Sequence, residues 1–437
     1  MIIRGGNVVC ADRVLYNHDV LVKDGIIQAV APTAADAATV RPVYFAGADD
    51  TGTPGWDVDV ATGLPVVDAA GAYVAPGMID IHSDYIENIA SPRPSAVMDL
   101  PMSLYKCDRE LAGHGVTTIF HSLSVYGLEV FDHKPIRDFK NVKRLLELIS
   151  SMRDGEELDH LIRHRLHLRV ELDAVDRVDE IRGYLEDGKV DLLSFMDHTP
   201  GQGQYRDLRV FGDIVRGYQE ATDADIARIV DMQQASKKIS YQQMAELSDI
   251  ATGEGVAIAS HDDDSVDKLE AMKSLGAAIS EFPIDMQTAY EACRRGMYTI
   301  AGAPNAMMGH SHSGNLSARE AVQKGVIRIL CSDYYPAALL DAVFILHKEC
   351  GLDLASAFAL VTINPAKAVG MDSTVGSIEP GKRADILVVR EIGTGAKERT
   401  MPVITRVFVG GNSVFRTHYP NQPLGYGRIA SGAKAGE

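Results

Sequence analysis

The sequence predicts an α/β protein: a (β/α)8 barrel carrying a small β domain assembled from both chain ends. Three observations carry this expectation. Eight short apolar runs alternate with amphipathic stretches through the middle of the 437-residue chain. Strand-and-turn patterns without intervening helices occur at both ends. Finally, several of the middle runs end in His, Asp or Glu, at the strand ends where barrel enzymes build their chemistry.

The N-terminal strands are expected at residues 7–10, 19–22 and 25–30, with Asp24-Gly25 as a tight-turn signal. Residues 32–65, rich in Ala, Asp, Gly, Thr and Pro, read as a surface insertion. A related pattern returns after Gly381-Lys382-Arg383-Ala384-Asp385, with strands over 386–389, 404–409 and 413–415 and a turn at Gly410-Gly411-Asn412. Residues 1–75 and 367–417 are therefore assigned to a small β-sandwich domain and 76–366 to the barrel. Residues 418–437, Gly-, Pro- and Ala-rich, are assigned to a C-terminal tail.

The barrel strands are expected at 74–82, 116–123, 166–172, 191–198, 256–261, 277–283, 297–303 and 326–333, with helical patterns such as 139–152 and 241–252 between them. A doubly wound open sheet would give similar local patterns, but no GxGxxG follows any of these strands.

Composition narrows the function. A 46% apolar share supports a large core and excludes a disordered or fibrous chain. With 43 Lys+Arg against 60 Asp+Glu the net charge is −17, which argues against a nucleic-acid partner. The same balance weighs against an anionic small molecule, although net charge describes long-range attraction and not a site. Five scattered cysteines without a CxxC pair imply no disulfide framework and a cytoplasmic location. No apolar run of about 18 residues is present, so no membrane helix is expected.

The chemistry is expected at Asp80-Ile81-His82-Ser83-Asp84, Glu171, His198, His261 and Asp333. Period-2 alternation puts Asp80, His82 and Asp84 on one side, and His167, Arg169 and Glu171 together on another strand. Singly, each has an ordinary explanation: a hydrogen-bonded structural His, or a Glu171–Arg169 ion pair. Five strands ending this way are harder to explain without a shared cation, because buried charges need partners. The mixed imidazole and carboxylate set suits zinc first, with manganese or iron as alternatives, in a two-metal centre bridged by Glu171. Asp333 would serve such a centre as general acid/base, which makes the chain a hydrolase.

Residues 74–82 and 376–385 resemble the first-strand signature and the small-domain return of the amidohydrolase superfamily. Asp84 stands where most members place a second His. Together with 165–171, Met196-Asp197-His198-Thr199-Pro200-Gly201-Gln202, His261-Asp262-Asp263, Glu281-Phe282-Pro283, Gly302-Ala303-Pro304-Asn305, Ser311-His312-Ser313-Gly314-Asn315 and Ser332-Asp333-Tyr334-Tyr335-Pro336, this resembles the PhnM-type diphosphatases of the carbon–phosphorus lyase pathway. The resemblance implies hydrolysis of α-D-ribose 1-methylphosphonate 5-triphosphate to the 5-phosphate and pyrophosphate. It also implies metal ligands at His82, Asp84, Glu171, His198, His261 and Asp333, with Asp333 also catalytic, and, by analogy, a homodimer. Arg93, Gln202, Ser311, His312 and Asn315 are candidate substrate contacts. Asp262, Asp263 and Asp264 either orient His261 or open a solvated helix. The competing readings are an amide or amidine hydrolase on the same barrel, such as a cyclic amidase or deaminase, and a catalytically inactive metabolite-binding protein.

Overall fold

One sheet of ten strands and one of eight make up the computed structural model, which describes residues 1–34, 40–43, 56–59, 62–93, 96–127, 135–154, 159–201, 203–205, 207–218, 221–310, 316–393 and 400–417. The chain divides into two units: Met1–Gly77 with Leu354–Ser356 and Ser373–Glu437, and Met78–Asp353 with Ala357–Asp372.

The first unit contains β1 (Ile2–Val9), β2 (Val14–Lys23), β3 (Ile26–Pro32), β4 (Val40–Val43), β5 (Trp56–Asp59), β6 (Pro65–Asp68) and β7 (Tyr73–Pro76). Asp24 and Gly25 both take positive φ (52° and 75°) and close the β2–β3 hairpin. Gly25 has a second reason to be glycine, since a Cβ there would lie 2.7 Å from the carbonyl oxygen of Gly410. The 32–65 stretch falls partly outside the described residues; its described part adds β4 and β5 to the sheet edge beyond β6. The tail at 418–437 lies outside them.

The barrel unit holds β8 (Met78–Ser83), β9 (Val116–Val125), β10 (Arg163–Glu171), β11 (Leu192–Met196), β12 (Ala257–His261), β13 (Ile279–Glu281), β14 (Tyr298–Gly302) and β15 (Ile329–Cys331), parallel and in sequential order. All eight expected strands are present. The first is divided at Gly77: β7 joins the small-unit sheet, and the barrel begins at Met78. The end of β8 meets the segment after β15, where Asp333 N donates to His82 O (3.1 Å) and Asp84 N donates to Asp333 O (3.0 Å), so the barrel nearly closes. The remaining small-unit strands are β16 (Ile386–Gly393), β17 (Thr400–Val409) and β18 (Asn412–Arg416), and β16 pairs with β7. Ile3, Val8, Val22, Val74, Ile386 and Phe408 belong to this unit's core.

Helix Phe139–Asp154 covers the barrel with Val142, Leu145, Leu146, Ile149 and Met152, the 3–4 spacing of one buried face. Helix Tyr241–Gly253 starts at a capping box between Ser240 and Gln243. The connection after β11 is long and folds into helices Leu208–Tyr218 and Asp223–Gln234, joined by a cluster of Phe211, Val215, Ile226, Ile229 and Val230. Among the described residues no helix is long and apolar enough to cross a membrane.

Candidate metal centre

Three residues just past strand ends have left-handed backbone: Asp262 after β12 (φ 52°), Phe282 after β13 (φ 53°) and Asp333 after β15 (φ 58°). Asp tolerates this region better than most residues, whereas Phe pays of order 1–3 kcal/mol for it. The cost at Phe282 comes with a packing return. Its ring stands edge-on to both His82 (centroids 4.9 Å apart) and His261 (5.3 Å). Lys268 braces the neighbouring bend, with Nζ donating to the carbonyls of His261 (2.8 Å) and Asp262 (3.1 Å).

Glu281 organises two imidazoles at once. His82 Nδ1 donates to its Oε1 (2.8 Å) and His261 Nδ1 donates to its Oε2 (3.2 Å), so both rings keep Nε2 as a lone-pair donor. The two rings stack with centroids 5.5 Å apart. Below them His167 spans Ser122 Oγ (3.1 Å) and Ser194 Oγ (2.9 Å) in the sealed interior. Burial pushes the His82 and His261 rings well below the usual histidine range, helped by the Arg169 charge, and pushes His167 to about 3. Burial also raises Glu281.

Glu171 reaches His198 and not Arg169: its Oε1 accepts from His198 Nδ1 and its Oε2 from the His198 backbone N–H (3.3 Å). The Glu171–Arg169 ion pair that strand alternation permits does not form. The loop bearing His198 is tied by Lys238, whose Nζ donates to both Asp197 oxygens (2.8 and 2.6 Å) and to Thr199 Oγ1 (2.6 Å). Asp262 Oδ2 lies 3.5 Å from His198 Nε2 and 3.7 Å from His261 Nε2. Burial alone would lower His198; the Glu171 and Asp262 carboxylates outweigh it and lift His198 to about 10.

The Asp262–Asp264 run divides its labour. Asp262 joins the two histidines, buried Asp263 accepts from the hydroxyls of Ser260 and Ser280, and Asp264 accepts from Gly203 N (3.0 Å). The helix behind it begins later, at N-cap Ser265.

Across the mouth, the strand alternation expected to carry Asp84 stops at Ser83, and Asp84 occupies the N-cap position of helix Tyr85–Ala90. Burial pushes Asp84 up to about 7, with Glu87 and Asp333 adding to the rise and Arg137, 3.7 Å from its Oδ2, opposing it. Asp333 is pushed to about 6 by burial. Asp80, fully buried, ties β8 to the end of β15: its Oδ1 accepts from Ser332 N (3.1 Å), and burial lifts it to about 6.

Arg93 is exposed in a turn where its carbonyl accepts from Ser91 Oγ (3.1 Å) and Ala96 N (3.0 Å). Gln202, Ser311, His312 and Asn315 lie outside the described residues. Glu281 and Phe282, which stand in one of the motifs that carry the family resemblance, and Arg169, expected beside Glu171, have no role at the centre from the sequence alone. Glu281 carried the same signal as its neighbours, an acidic residue ending an otherwise apolar strand.

The donor set suits a divalent cation. His198, His261 and Asp262 offer ligand atoms all within 4.8 Å of one another, as do His82, His167 and Glu281. The second trio already uses its atoms on itself and on Ser194. In the first, His198 Nε2 and Asp262 Oδ2 are shielded from water without a hydrogen-bond partner, and Asp84 Oδ1 is likewise buried without one. Buried polar atoms left without hydrogen bonds mark a cation site or a catalytic role, and a cation here would displace the proton that Glu171 and Asp262 otherwise hold on His198.

Residues 246–414 match the model of the amidohydrolase family. Over 327 residues the chain is 31% identical to the α-D-ribose 1-methylphosphonate 5-triphosphate diphosphatase of Escherichia coli (strain K12), covering 74% of this chain and 84% of that one. The chain belongs to the amidohydrolase family. It is also 24% identical over 333 residues to an imidazolonepropionase of Fusobacterium nucleatum, covering 74% of this chain and 78% of the relative. Among solved structures, this amidohydrolase superposes on a Xaa-Pro dipeptidase with bound methionine (TM-score 0.58, 12% identity, 94% of this chain and 98% of that one). It also superposes on the dihydropyrimidinase of Brevibacillus agri NCHU1002 (TM-score 0.54, 14% identity, 95% of each). These two likenesses establish the shared fold. The protein is thus a hydrolase of a family that generally binds divalent metals.

Proposed function

We propose that this amidohydrolase is a metal-dependent diphosphatase that converts α-D-ribose 1-methylphosphonate 5-triphosphate to the 5-phosphate and pyrophosphate. The observation that carries the reading is the 31% identity to the E. coli diphosphatase across most of both chains. The carboxylate at Asp84, in the position where most superfamily members have a second histidine, supports it.

His82, Asp84, Glu171, His198, His261 and Asp333 are the proposed metal ligands, with zinc the first choice and manganese or iron as alternatives. Divalent ions supply Lewis-acid polarisation and acidify water. The chain's own residues do the rest. Glu281 holds Nε2 of His82 and of His261 toward the mouth. Asp333 takes the proton of the attacking water and returns it to the departing oxygen. Arg93, Gln202, Ser311, His312 and Asn315 belong to the proposal as substrate contacts, as do the homodimer and the cytoplasmic location.

The test incubates metal-loaded protein separately with the ribose triphosphate, with ordinary nucleoside triphosphates and with a cyclic amide, following pyrophosphate release and ring opening. Pyrophosphate from the ribose triphosphate is expected. Ring opening without pyrophosphate release from any triphosphate would overturn the reading in favour of an amide hydrolase.

A further inference from the structure

Arg169 is a cation in the barrel mouth that makes no close ion pair among the described residues, although its charge favours the ionised forms of Asp84, Glu281 and Asp333. It stands on β10 two residues before Glu171, half-buried, and reaches past β11 toward β12. Its Nε donates to Met196 Sδ (2.9 Å) and its Nη2 lies 3.4 Å from His261 Nε2. Among the described residues, no carboxylate oxygen comes within 4.0 Å of the guanidinium. Arg137, on the same mouth, differs: its Nε donates to Glu87 Oε2 at 2.8 Å, and Asp84 is at 3.7 Å.

A half-buried guanidinium whose printed contacts are a thioether and one ring nitrogen keeps donor capacity for an anion. Sulfur is a weak acceptor, and burying a charge without a close partner is costly. The contact with His261 is also conditional. Because Nδ1 of that ring is committed to Glu281, Nε2 has a single lone pair, which cannot serve both Arg169 and a metal ion. A cation at His261 therefore frees Nη2, and the planar fork of an arginine matches two oxygens of a phosphoryl group.

We propose that Arg169 grips the phosphoanhydride oxygens of the substrate, and those of the pyrophosphate product, once His261 has exchanged its contact with Arg169 for a metal. The substrate identity rests on the diphosphatase reading; the anion site rests on a guanidinium with no carboxylate in direct contact and an exchangeable contact to His261.

Calorimetric titration of inorganic pyrophosphate into metal-loaded wild type, Arg169→Met and Arg169→Lys tests this, with metal content measured for each and ribose-triphosphate turnover measured for wild type. Arg169→Met should keep its metal and bind pyrophosphate about 10- to 100-fold more weakly, the loss expected for charge-assisted hydrogen bonds. Arg169→Lys, which keeps the charge but not the fork, should fall between. Should the Met variant not fold, the Lys variant decides: a clear loss supports the assignment and wild-type affinity overturns it. Pyrophosphate affinity of Arg169→Met within twofold of wild type, or loss of metal along with the anion, also overturns it. If wild type hydrolyses the triphosphate while the variants bind pyrophosphate normally, Arg169 loses its role and the diphosphatase reading stands. If wild type hydrolyses no triphosphate yet the variants lose pyrophosphate, the reading fails and the anion site stands.

Discussion

The barrel carries two buried histidine–carboxylate assemblies that differ in how their lone pairs are used. Between the strands and helix Leu100–Gly113, His121 Nε2 meets His164 Nδ1 (2.8 Å), and His164 Nε2 meets Asp108 Oδ1 (3.0 Å). Asp108 also accepts from the backbone N–H groups of Leu161 (2.8 Å) and Ile162 (3.0 Å). At the mouth, Glu281 satisfies only one nitrogen each of His82 and His261, while His198 Nε2, Asp262 Oδ2 and Asp84 Oδ1 make no hydrogen bond, the first two facing each other at 3.5 Å. Both assemblies are buried, and in both burial lowers histidine pKa values. What separates a structural cluster from a candidate reactive one is residual valence.

Substitutions can break that contrast. The largest effect is expected from Asp333→Asn: turnover should fall by about 10³-fold, near the middle of the range for loss of a general acid/base, while metal content stays close to wild type. Steady-state kinetics with metal analysis decides, and retained activity would remove Asp333 from its role. Next come paired substitutions with crossed outcomes. Asp108→Asn should destabilise the fold by about 2–4 kcal/mol in denaturant titrations and leave metal affinity unchanged. Glu281→Gln should weaken metal binding by about 10- to 100-fold, as loss of an orienting carboxylate does. If Asp108→Asn costs metal and Glu281→Gln does not, the distinction between the assemblies is wrong.

The smallest effect concerns pH. Asp80 sits near 6 in the folded protein against 3.8 for the free group, so folding favours its protonated form. In chelator-treated protein its contribution should therefore become unfavourable as pH rises from about 4 through about 6, by at most on the order of 3 kcal/mol. Asp80→Asn should lack this component. Melting curves of the two proteins that stay parallel across that window would show that Asp80 does not titrate there.

Much of this fold was legible because short apolar runs ending in polar residues, alternating with amphipathic stretches, describe parallel barrel strands buried on both faces. The limits of legibility are equally physical. His164 and His82 both lie on barrel strands, and nothing in the local sequence says which one has both ring nitrogens paired. Arg169 and Glu171 share an alternation phase that suggests an ion pair, yet the turn after Met196 presents His198 to Glu171 first. The N-cap placement of Asp84 and the left-handed turn at Phe282 depend on how neighbouring strands end, which no spacing rule encodes. The net charge of −17 likewise described the surface while Arg169, inside the mouth, carries the opposite sign.

The left-handed backbone at Asp262, Phe282 and Asp333 also limits which side chains the mouth can accept during laboratory evolution. Only glycine, asparagine and aspartate adopt that conformation cheaply. A library randomised at these positions would consist mostly of members penalised by their backbone, whatever their chemistry. The same restriction makes asparagine the cleanest neutral probe at 333, because alanine or valine there would change the loop geometry and the charge together.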